Sequence, residues 1–214
     1  MVKGFVFSPL QENTYVLYNE AGECCIIDPG CYFSNERNEL KDFISESQLQ
    51  PKYLLNTHCH LDHIFGNKFV HATYGLEPYI HPDEKQVMDF APAAGQLWNV
   101  PIDQYTGDVH YITEMDVVRL GTDELKIILA PGHSPGHICF YCERQQFLIG
   151  GDVLFRGSIG RFDLPGGNFD TLMKSIREQL FTLPVDTVVH PGHGPETSIG
   201  YEMKTNPYLR EIMG

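Results

Sequence analysis

The chain concentrates metal-ligand chemistry in one short segment. Three imidazoles and one carboxylate lie in the pattern H-x-H-x-D-H, at His58, His60, Asp62 and His63. If these groups are buried together, each polar atom needs a partner, because an unsatisfied buried polar group costs free energy. A divalent cation satisfies all of them at once, since imidazole and carboxylate are ordinary ligands of zinc, iron and manganese. The pattern therefore predicts a metal site.

The spacing of the four donors indicates two ions rather than one. In an extended or tightly turned segment, residues i and i+2 face the same way, so His58 and His60 can share a metal while Cys59 points away. Asp62 and His63 are adjacent in the chain and cannot easily join the first pair on the same ion. The simpler geometry gives Asp62 and His63 a second metal close to the first.

Three further segments carry the same residue types, and each follows a predicted strand: 130–137, 150–152 and 190–195. Glycine and proline flank the donors, which fixes the turns and lets the backbone approach an ion closely. His133 can complete the first ligand set and His193 the second. Asp152 can bridge, with one carboxylate oxygen for each ion. An open position for water on each metal is typical of a catalytic site.

Short strands and helices must position these donors. Runs rich in β-branched, aromatic and cysteine residues predict strands at Val2–Phe7, Thr14–Tyr18, Cys24–Ile27, Tyr53–Leu55, Glu77–Ile80, Val117–Leu120, Leu125–Leu129, His137–Tyr141, Phe147–Ile149 and Thr187–Val189. Helical spacing of apolar residues predicts helices at Ser34–Ser47, Gly66–Tyr74, Asp83–Phe90, Phe169–Leu180 and Ser198–Asn206. This order predicts an α/β fold in which two sheets pack face to face with helices outside.

The helical pattern fails between Ala91 and Thr106, where Pro92, Gly95 and Pro101 interrupt it. We expect a long ordered loop over residues 91–106. Two interpretations stay open: the loop is a lid over the site, or Trp98 and Tyr105 pack onto the core.

Length and charge limit the class of protein. The 214 residues suit one domain, 1–214, and the formal net charge of −13 comes without any basic block. A nucleic-acid surface needs clustered Lys and Arg, so we expect none. No apolar run is long enough to span a bilayer, and the start, Met1–Phe7, is too short an apolar run for a signal peptide. A cytoplasmic location without a membrane partner is therefore the expectation.

The six cysteines predict reduced thiols rather than a disulfide framework, as is usual for a cytoplasmic chain of this size. Cys139 and Cys142 form a C-x-x-C inside an apparent strand, where positions i and i+3 face opposite sides. We interpret the pair as packing and not as a redox or zinc motif.

Some polar residues beside the motifs have ordinary explanations. His137 lies in an apolar strand, and His190 precedes His193 by three residues, so both are expected to support the site rather than ligate an ion. Asp28, which follows a strand and precedes Pro29, either bonds a ligand histidine or is a simple turn residue. Ser134 has no apparent base partner that would make it a nucleophile.

With these motifs in place, the sequence resembles the metallo-β-lactamase superfamily, whose members carry H-x-H-x-D-H and then His, Asp and His in this order. Within it the chain is similar to the glyoxalase II (hydroxyacylglutathione hydrolase) branch, and the likeness covers nearly the whole chain. The matching motifs are Thr57–His60 (THCH), Pro131–His137 (PGHSPGH), Gly151–Phe155 (GDVLF) and Pro191–Gly194 (PGHG). A compact bacterial and archaeal subgroup is matched by Gln11–Tyr15 (QENTY) and Ile159–Gly167 (IGRFDLPGG).

The resemblance implies a four-layer αββα sandwich with two divalent metal ions at one edge, zinc first among zinc, iron and manganese. It implies a dinuclear hydrolase of small-molecule thioesters, converting S-2-hydroxyacylglutathione, such as S-lactoylglutathione, into hydroxy acid and thiol. The attacking group would be a metal-bridging hydroxide that Asp62 and Asp152 help to orient, and the thiolate would leave without a strong acid.

The chain departs from the family in two ways. Typical glyoxalase II enzymes continue into a helical domain that supplies basic contacts to glutathione, whereas this sequence stops some twenty residues after His193. Family members also carry a Lys and then a Tyr where this chain has Arg161 and Asp163. Arg161 can still bind a substrate carboxylate. Thioester hydrolysis therefore carries over better than glutathione specificity.

Alternatives on the same residues remain. A persulfide dioxygenase with a single iron would use His58, His60, His133 and Asp152. A lactonase or β-lactamase-like hydrolase and a nuclease of the same fold are further enzyme classes, and a metal-stabilised interaction module is the alternative that is not an enzyme. The sequence leaves open the metal, the acyl group, the thiol carrier and the oligomeric state.

Overall fold

Two six-stranded mixed sheets contain most of the strands predicted from the sequence. The computed structural model describes residues 1–210, and its contacts divide the chain into two units. The first unit contains Met1–Ile112 and Leu120–Thr122, and the second contains Thr113–Arg119 and the chain from Asp123 onward.

The first sheet has its strands in chain order, β1 (Val2–Phe7), β2 (Glu12–Tyr18), β3 (Glu23–Ile27), β4 (Gln50–Leu55), β5 (Pro78–Ile80) and β6 (His110–Tyr111). The pairs β1–β2 and β2–β3 are antiparallel, and the later pairs are parallel. The α-helices of this unit are α1 (Ser34–Glu46), α2 (Asn67–Tyr74) and α3 (Lys85–Leu97). Parallel neighbours need a crossover, and α1 supplies it between β3 and β4.

The core of this unit follows from the spacing of apolar residues. Leu40 and Ile44 of α1 lie one helical turn apart on the same face, and both are buried. They join a cluster that includes Phe7 of β1, Ile26 of β3 and Leu54 of β4. Burial of each such side chain contributes roughly 1.5–3 kcal/mol relative to exposure.

The predicted loop from Ala91 is wrong over residues 91–97, where α3 continues through Pro92. Proline has no N–H, so the carbonyl of Met88, four residues earlier, loses its helical donor. The side chain of Gln104 replaces that donor, with its Nε2 2.6 Å from the Met88 oxygen. A contact from outside the helix therefore overrides a local helix-breaking signal.

Residues 98–106 are irregular, as expected for the second part of that segment. Tyr105 is buried in a core cluster with Cys59 and Phe65, and its hydroxyl donates to the Asp108 carbonyl at 2.8 Å. Trp98 is partly exposed. Packing is thus confirmed for Tyr105, and a movable lid over residues 98–106 stays a prediction.

The second sheet has the order β14-β13-β10-β9-β8-β7. Its strands are β7 (Val117–Leu120), β8 (Asp123–Leu129), β9 (Ile138–Cys142), β10 (Phe147–Gly151), β13 (Val188–Pro191) and β14 (Thr197–Ser198), and a separate hairpin comprises β11 (Leu154–Phe155) and β12 (Ser158–Ile159). The described helices of this unit are α4 (Phe169–Glu178), α5 (Ile199–Thr205) and α6 (Pro207–Arg210).

One parallel pair inside this sheet positions two predicted ligands. Strands β10 and β13 are parallel neighbours, with Ile149 opposite His190 and Gly151 opposite Pro191. Asp152 follows β10 directly, and His193 lies two residues beyond β13. Since parallel strands end at the same edge of a sheet, both side chains emerge there together.

The cysteine pair in β9 behaves as packing, as predicted. Cys139 and Cys142 are buried, and the Cys139 thiol lies 3.3 Å from the carbonyl oxygen of Gly150. All six cysteines are free thiols.

The predicted helices and longer strands are confirmed to within a few residues at their ends, apart from α3. The short strands β6, β11, β12 and β14 were not predicted. Among residues 1–210, no helix is both long and apolar enough to cross a membrane.

Candidate metal centre

Four predicted ligands follow β4 in the first unit, and a 3₁₀ turn at Leu61–His63 brings them together. The ring centroids of His58 and His60 are 4.8 Å apart, and those of His58 and His63 are 4.0 Å apart. His58, Asp62 and His63 are buried, and His60 is half-buried. The chain thus concentrates three imidazoles and a carboxylate in a space from which water is largely excluded.

Asp28 orients two of these histidines, one through a direct contact and the other through Thr57. It follows β3 directly and has a φ of 47°, in the left-handed region that Asp tolerates better than most residues. Its Oδ1 accepts the Thr57 N–H at 2.7 Å, and its Oδ2 accepts the Thr57 hydroxyl at 2.6 Å and lies 3.0 Å from Nδ1 of His63. The Thr57 hydroxyl oxygen in turn lies 3.1 Å from Nδ1 of His58.

These contacts determine the tautomer of both rings. A carboxylate can only accept, so His63 must carry its proton on Nδ1. Because the Thr57 hydroxyl donates to Asp28, its oxygen accepts from Nδ1 of His58 by the same logic. In both rings the lone pair is then on Nε2, the atom that would ligate a metal. Asp28 therefore bonds a predicted ligand histidine, one of the two interpretations left open by the sequence.

A second buried carboxyl group lies beside His63. Oε1 of Glu12 is 4.0 Å from Nδ1 of His63, and Oε2 accepts the Thr14 hydroxyl at 2.9 Å. Burial raises the pKa of Glu12 well above its usual range, and the nearby His63 opposes this in part. Gly30 makes room for this carboxyl, because a Cβ at position 30 would lie 2.0 Å from Oε2 of Glu12.

The second unit carries the other three predicted ligands. Oδ2 of Asp152 lies 3.6 Å from Nε2 of His133 and 3.6 Å from Nε2 of His193. These distances are too long for hydrogen bonds. They are close to the separation of about 3.3–3.4 Å expected between two ligands on one tetrahedral zinc with bonds of about 2.0–2.1 Å. The donor types and their spacing therefore fit a divalent cation.

Backbone groups orient these ligands in the second unit. Nδ1 of His133 donates to the carbonyl oxygen of Arg161 at 2.7 Å, which leaves the lone pair on Nε2. Gly160 lets the backbone pass close to Asp152, since a Cβ at position 160 would lie 1.9 Å from the Asp152 carbonyl oxygen. The Asp152 N–H donates to Nε2 of His137 at 3.0 Å. His137 thus supports a predicted ligand, as its position in an apolar strand indicated.

The predicted substrate-binding residue is engaged by a neighbour. Arg161 donates from Nε and from a terminal nitrogen to the two carboxylate oxygens of Asp163, at 2.8 and 2.9 Å. The bond from Arg161 holds the pKa of Asp163 at about 2. Both side chains are more than half exposed, so water screens the pair strongly.

Three residues that support this geometry were assigned no role from the sequence: Thr57, Glu12 and Glu84. Thr57 and Glu12 lie within the motifs THCH and QENTY, which do not show what their side chains contact, and Glu84 lies outside the motifs. Glu84 is fully buried and accepts the backbone N–H of Cys59 at 2.7 Å. Nδ1 of His190 lies 2.9 Å from a carboxylate oxygen of Glu196. The residues that follow Glu12 in β2, Asn13 and Thr14, are polar, so no local pattern indicated that its side chain is buried.

Comparison with known proteins identifies related sequences. The family model described as the metallo-beta-lactamase superfamily matches residues 7–193. A probable metallo-hydrolase of Bacillus subtilis, YqgX, is 38% identical over 203 residues, which covers 94% of this chain and 93% of the relative. The hydroxyacylglutathione hydrolase GloC of Haemophilus influenzae is 35% identical over 201 residues, covering 93% of each chain.

Solved structures agree with the fold. BLEG-1, a B3 metallo-beta-lactamase, superposes with a TM-score of 0.90 at 38% identity and covers 98% of this chain and 99% of its own. TTHA1623, solved in a di-iron-bound form, gives a TM-score of 0.87 at 36% identity, covering 97% of this chain and all of its own. The predicted α/β class, with two mixed sheets and flanking helices, is confirmed.

Proposed function

This chain belongs to the metallo-β-lactamase superfamily, and from that premise we propose that it is a dinuclear metal-dependent hydrolase of thioesters. The proposed substrate is an S-2-hydroxyacylglutathione such as S-lactoylglutathione, which would yield a hydroxy acid and a thiol. The observation that carries the proposal is the donor set itself: no position of the expected ligand pattern has been replaced.

We propose that residues 1–214 act as one catalytic domain. The first ion would be held by His58, His60 and His133, the second by Asp62, His63 and His193, with Asp152 bridging. Hydrogen bonds at Nδ1 of His58, His63 and His133 support this assignment, because each leaves Nε2 as the ligating atom. Zinc is the proposed metal, and the di-iron form of TTHA1623 keeps iron as the first alternative.

The chemistry follows from the donor groups. Two bound divalent cations would lower the pKa of a water molecule toward neutrality and polarise the thioester carbonyl. Asp62 and Asp152 are buried carboxylates that can accept hydrogen bonds from the attacking water and so hold its lone pair toward the carbonyl. A thiolate is a good leaving group near neutral pH, so the residues around the site need not supply a strong acid.

Arg161 is the proposed contact for a carboxylate of the substrate. To bind this carboxylate, the guanidinium must either break its hydrogen bonds to Asp163 or donate to Asp163 and the substrate at the same time. This exchange costs little, because the Arg161–Asp163 pair is exposed and screened by water. The backbone of Arg161 contacts His133, so its side chain starts next to a proposed metal ligand.

The thioester preference is supported by the relative GloC, whose described activity is hydroxyacylglutathione hydrolysis. A second candidate function is hydrolysis of a β-lactam amide, favoured by the likeness to BLEG-1. Both reactions add water to a carbonyl and need the same donors. We also propose a cytoplasmic location, which six buried, reduced thiols favour.

The test combines elemental analysis with a substrate panel. Purified protein is expected to hold two equivalents of metal and to release thiol from S-lactoylglutathione. Asp152→Asn should abolish turnover, whereas Asp123→Asn, at a similarly buried aspartate paired with Arg144, should not. A fully metallated protein without thioester turnover would overturn the substrate claim. Preferential β-lactam turnover would select the second candidate. One equivalent of iron, together with consumption of oxygen when a persulfide is the substrate, would select the dioxygenase.

A further inference from the structure

One buried acid in the first unit is not accounted for by the proposed ligand set. Glu84 ends the 3₁₀ turn Pro82–Glu84 and immediately precedes α3. Its side chain is completely inaccessible to solvent, and Oε2 accepts the backbone N–H of Cys59 at 2.7 Å. Cys59 is the residue between the predicted ligands His58 and His60. We infer that Glu84 is a positioning residue for this pair of ligands.

The bond acts on one of the two peptide groups between the predicted ligands, the one that links His58 to Cys59. The Cys59 N–H belongs to the peptide that links it to His58, so fixing that N–H restricts the backbone on both sides. Restricting ψ of His58 and φ of Cys59 sets the directions in which the two imidazoles leave the chain. The contact therefore restricts backbone rotation between His58 and Cys59, where a change would alter the relative directions of the two imidazoles.

Hydrogen bonds in the preceding turn fix the position of the Glu84 backbone. Its N–H donates to the His81 carbonyl at 3.0 Å, and Nδ1 of His81 accepts the Asp83 N–H at 3.2 Å. One turn further on, Met88 of α3 is buried in the same apolar cluster as the Cys59 side chain. Cys59 is thus held at its N–H by Glu84 and at its side chain by the cluster.

A role in stability alone also needs this contact, because a buried N–H requires an acceptor. The two roles differ in what loss of the contact does to the neighbouring imidazoles. The bonded N–H lies between the two predicted ligands, so the contact defines the path of the backbone from one imidazole to the other.

The inference rests on the proposed metal site, and three substitutions test it. Glu84→Gln keeps an acceptor oxygen at the same reach and removes the charge. Glu84→Asp keeps the charge but is one methylene too short to reach Cys59. Asp83→Asn changes the exposed neighbour and serves as the matched control. Each variant is compared with the full-length wild type by competition titration with Zn²⁺ and a chromophoric chelator, and by the visible spectrum after Co²⁺ substitution.

Glu84→Asp is expected to lower the affinity for one of the two ions by about 10- to 100-fold and to change the Co²⁺ spectrum. Glu84→Gln should stay within about threefold of the wild type, because the contact is what matters, and Asp83→Asn should match the wild type. Wild-type affinity and an unchanged spectrum in Glu84→Asp, with only thermal stability lost, would overturn the inference. So would a defect in Glu84→Gln that Glu84→Asp does not share, since the charge would then be responsible.

These readouts separate the inference from the proposed function. Metal affinity and the Co²⁺ spectrum require no substrate, so a wild-type protein that binds two ions but hydrolyses no thioester still tests Glu84. Conversely, thioester turnover in the wild type with identical metal binding in all three variants would leave the function standing and remove the positioning role.

Discussion

Replacing Asp28 by Asn changes one oxygen into an amino group and should impair metal binding more than folding. Asn keeps one acceptor oxygen, and this oxygen must face the Thr57 N–H. In the flipped orientation the Asn amino group would face that N–H, and two donors would then oppose each other. The amino group then faces the Thr57 hydroxyl and Nδ1 of His63. Both must become acceptors, and the Thr57 hydroxyl is then turned to donate to Nδ1 of His58. The protons of both rings are displaced to Nε2, the proposed ligating atom.

The size of the effect follows from the contacts. Ligation through Nε2 of His63 in the variant forfeits the charge-assisted bond from Nδ1 to Asp28, worth about 1.5–3 kcal/mol. At about 1.4 kcal/mol per factor of ten, this corresponds to a loss of roughly 10- to 100-fold in affinity for the ion bound by His63. The His58 ring should lose a smaller amount, since its contact is with a neutral hydroxyl.

Competition titration with Zn²⁺ measures this loss directly, and chemical denaturation of the metal-free protein measures the stability change. Asp116→Asn is a suitable control because Asp116 accepts both the N–H and the hydroxyl of Thr113 but contacts no histidine. Asp28→Asn with wild-type metal affinity would refute the tautomer argument. Equal losses of affinity in Asp28→Asn and Asp116→Asn would refute it as well.

Four other substitutions test three separate features. Gln104→Ala should lower the free energy of unfolding by about 0.5–1.5 kcal/mol, because the helical carbonyl four residues before Pro92 loses its donor. Asp163→Asn should lower KM for a thioester that carries a carboxylate, because it frees the guanidinium of Arg161, and Arg161→Ala should raise it. Glu12→Gln should stabilise the metal-free protein at pH 8 but not at pH 4. Burial raises the pKa of Glu12, so the wild type loses stability as pH rises from the unfolded value of about 4.3 through the higher folded value.

Each of these has an internal control. Pro92→Ala restores a backbone N–H, so Gln104→Ala should cost little in that background, and an undiminished cost would contradict the donor role. A thioester without a carboxylate should show no KM change in either Arg161→Ala or Asp163→Asn. Denaturation at both pH values checks Glu12→Gln, and an equal effect at pH 4 and pH 8 would show that ionisation of Glu12 is not the cause.

The strands and helices were largely predictable because their apolar residues follow regular periods. Strand β8 alternates buried and exposed residues from Asp123 to Ile127, and Leu40 and Ile44 mark the buried face of α1. The failure at Pro92 has a different origin. The group that lets the helix continue, Gln104, is twelve residues away and has no pattern that links it to the missing N–H. Local rules cannot anticipate a compensating contact of that kind.

The candidate site shows the same division. The donor types and their positions after strands were visible in the sequence, since ligand spacing is a local property of the chain. The groups that orient the donors were mostly not visible. Asp28 was one of two open interpretations, and Glu84 lies 25 residues from the N–H that it accepts. A single buried carboxylate looks like a surface residue until its environment is known.

The engagement of Arg161 by Asp163 also required the structure. The sequence indicated a basic group near the site and an acid two residues later, and it could not decide whether they point toward each other. Their two parallel hydrogen bonds mean that the Asp163 carboxylate already balances the positive charge of the Arg161 guanidinium.

The burial of all six cysteine thiols affects how the protein would react with the thiol that the proposed reaction releases. An enzyme that liberates thiols works amid mixed disulfides, and exchange with them begins from an accessible thiolate. Burial raises the pKa of Cys24 and of Cys31 to about 12 and that of Cys25, Cys59 and Cys142 in the same direction. A protein built in this way can release a nucleophilic sulfur compound at every turnover without becoming conjugated to it.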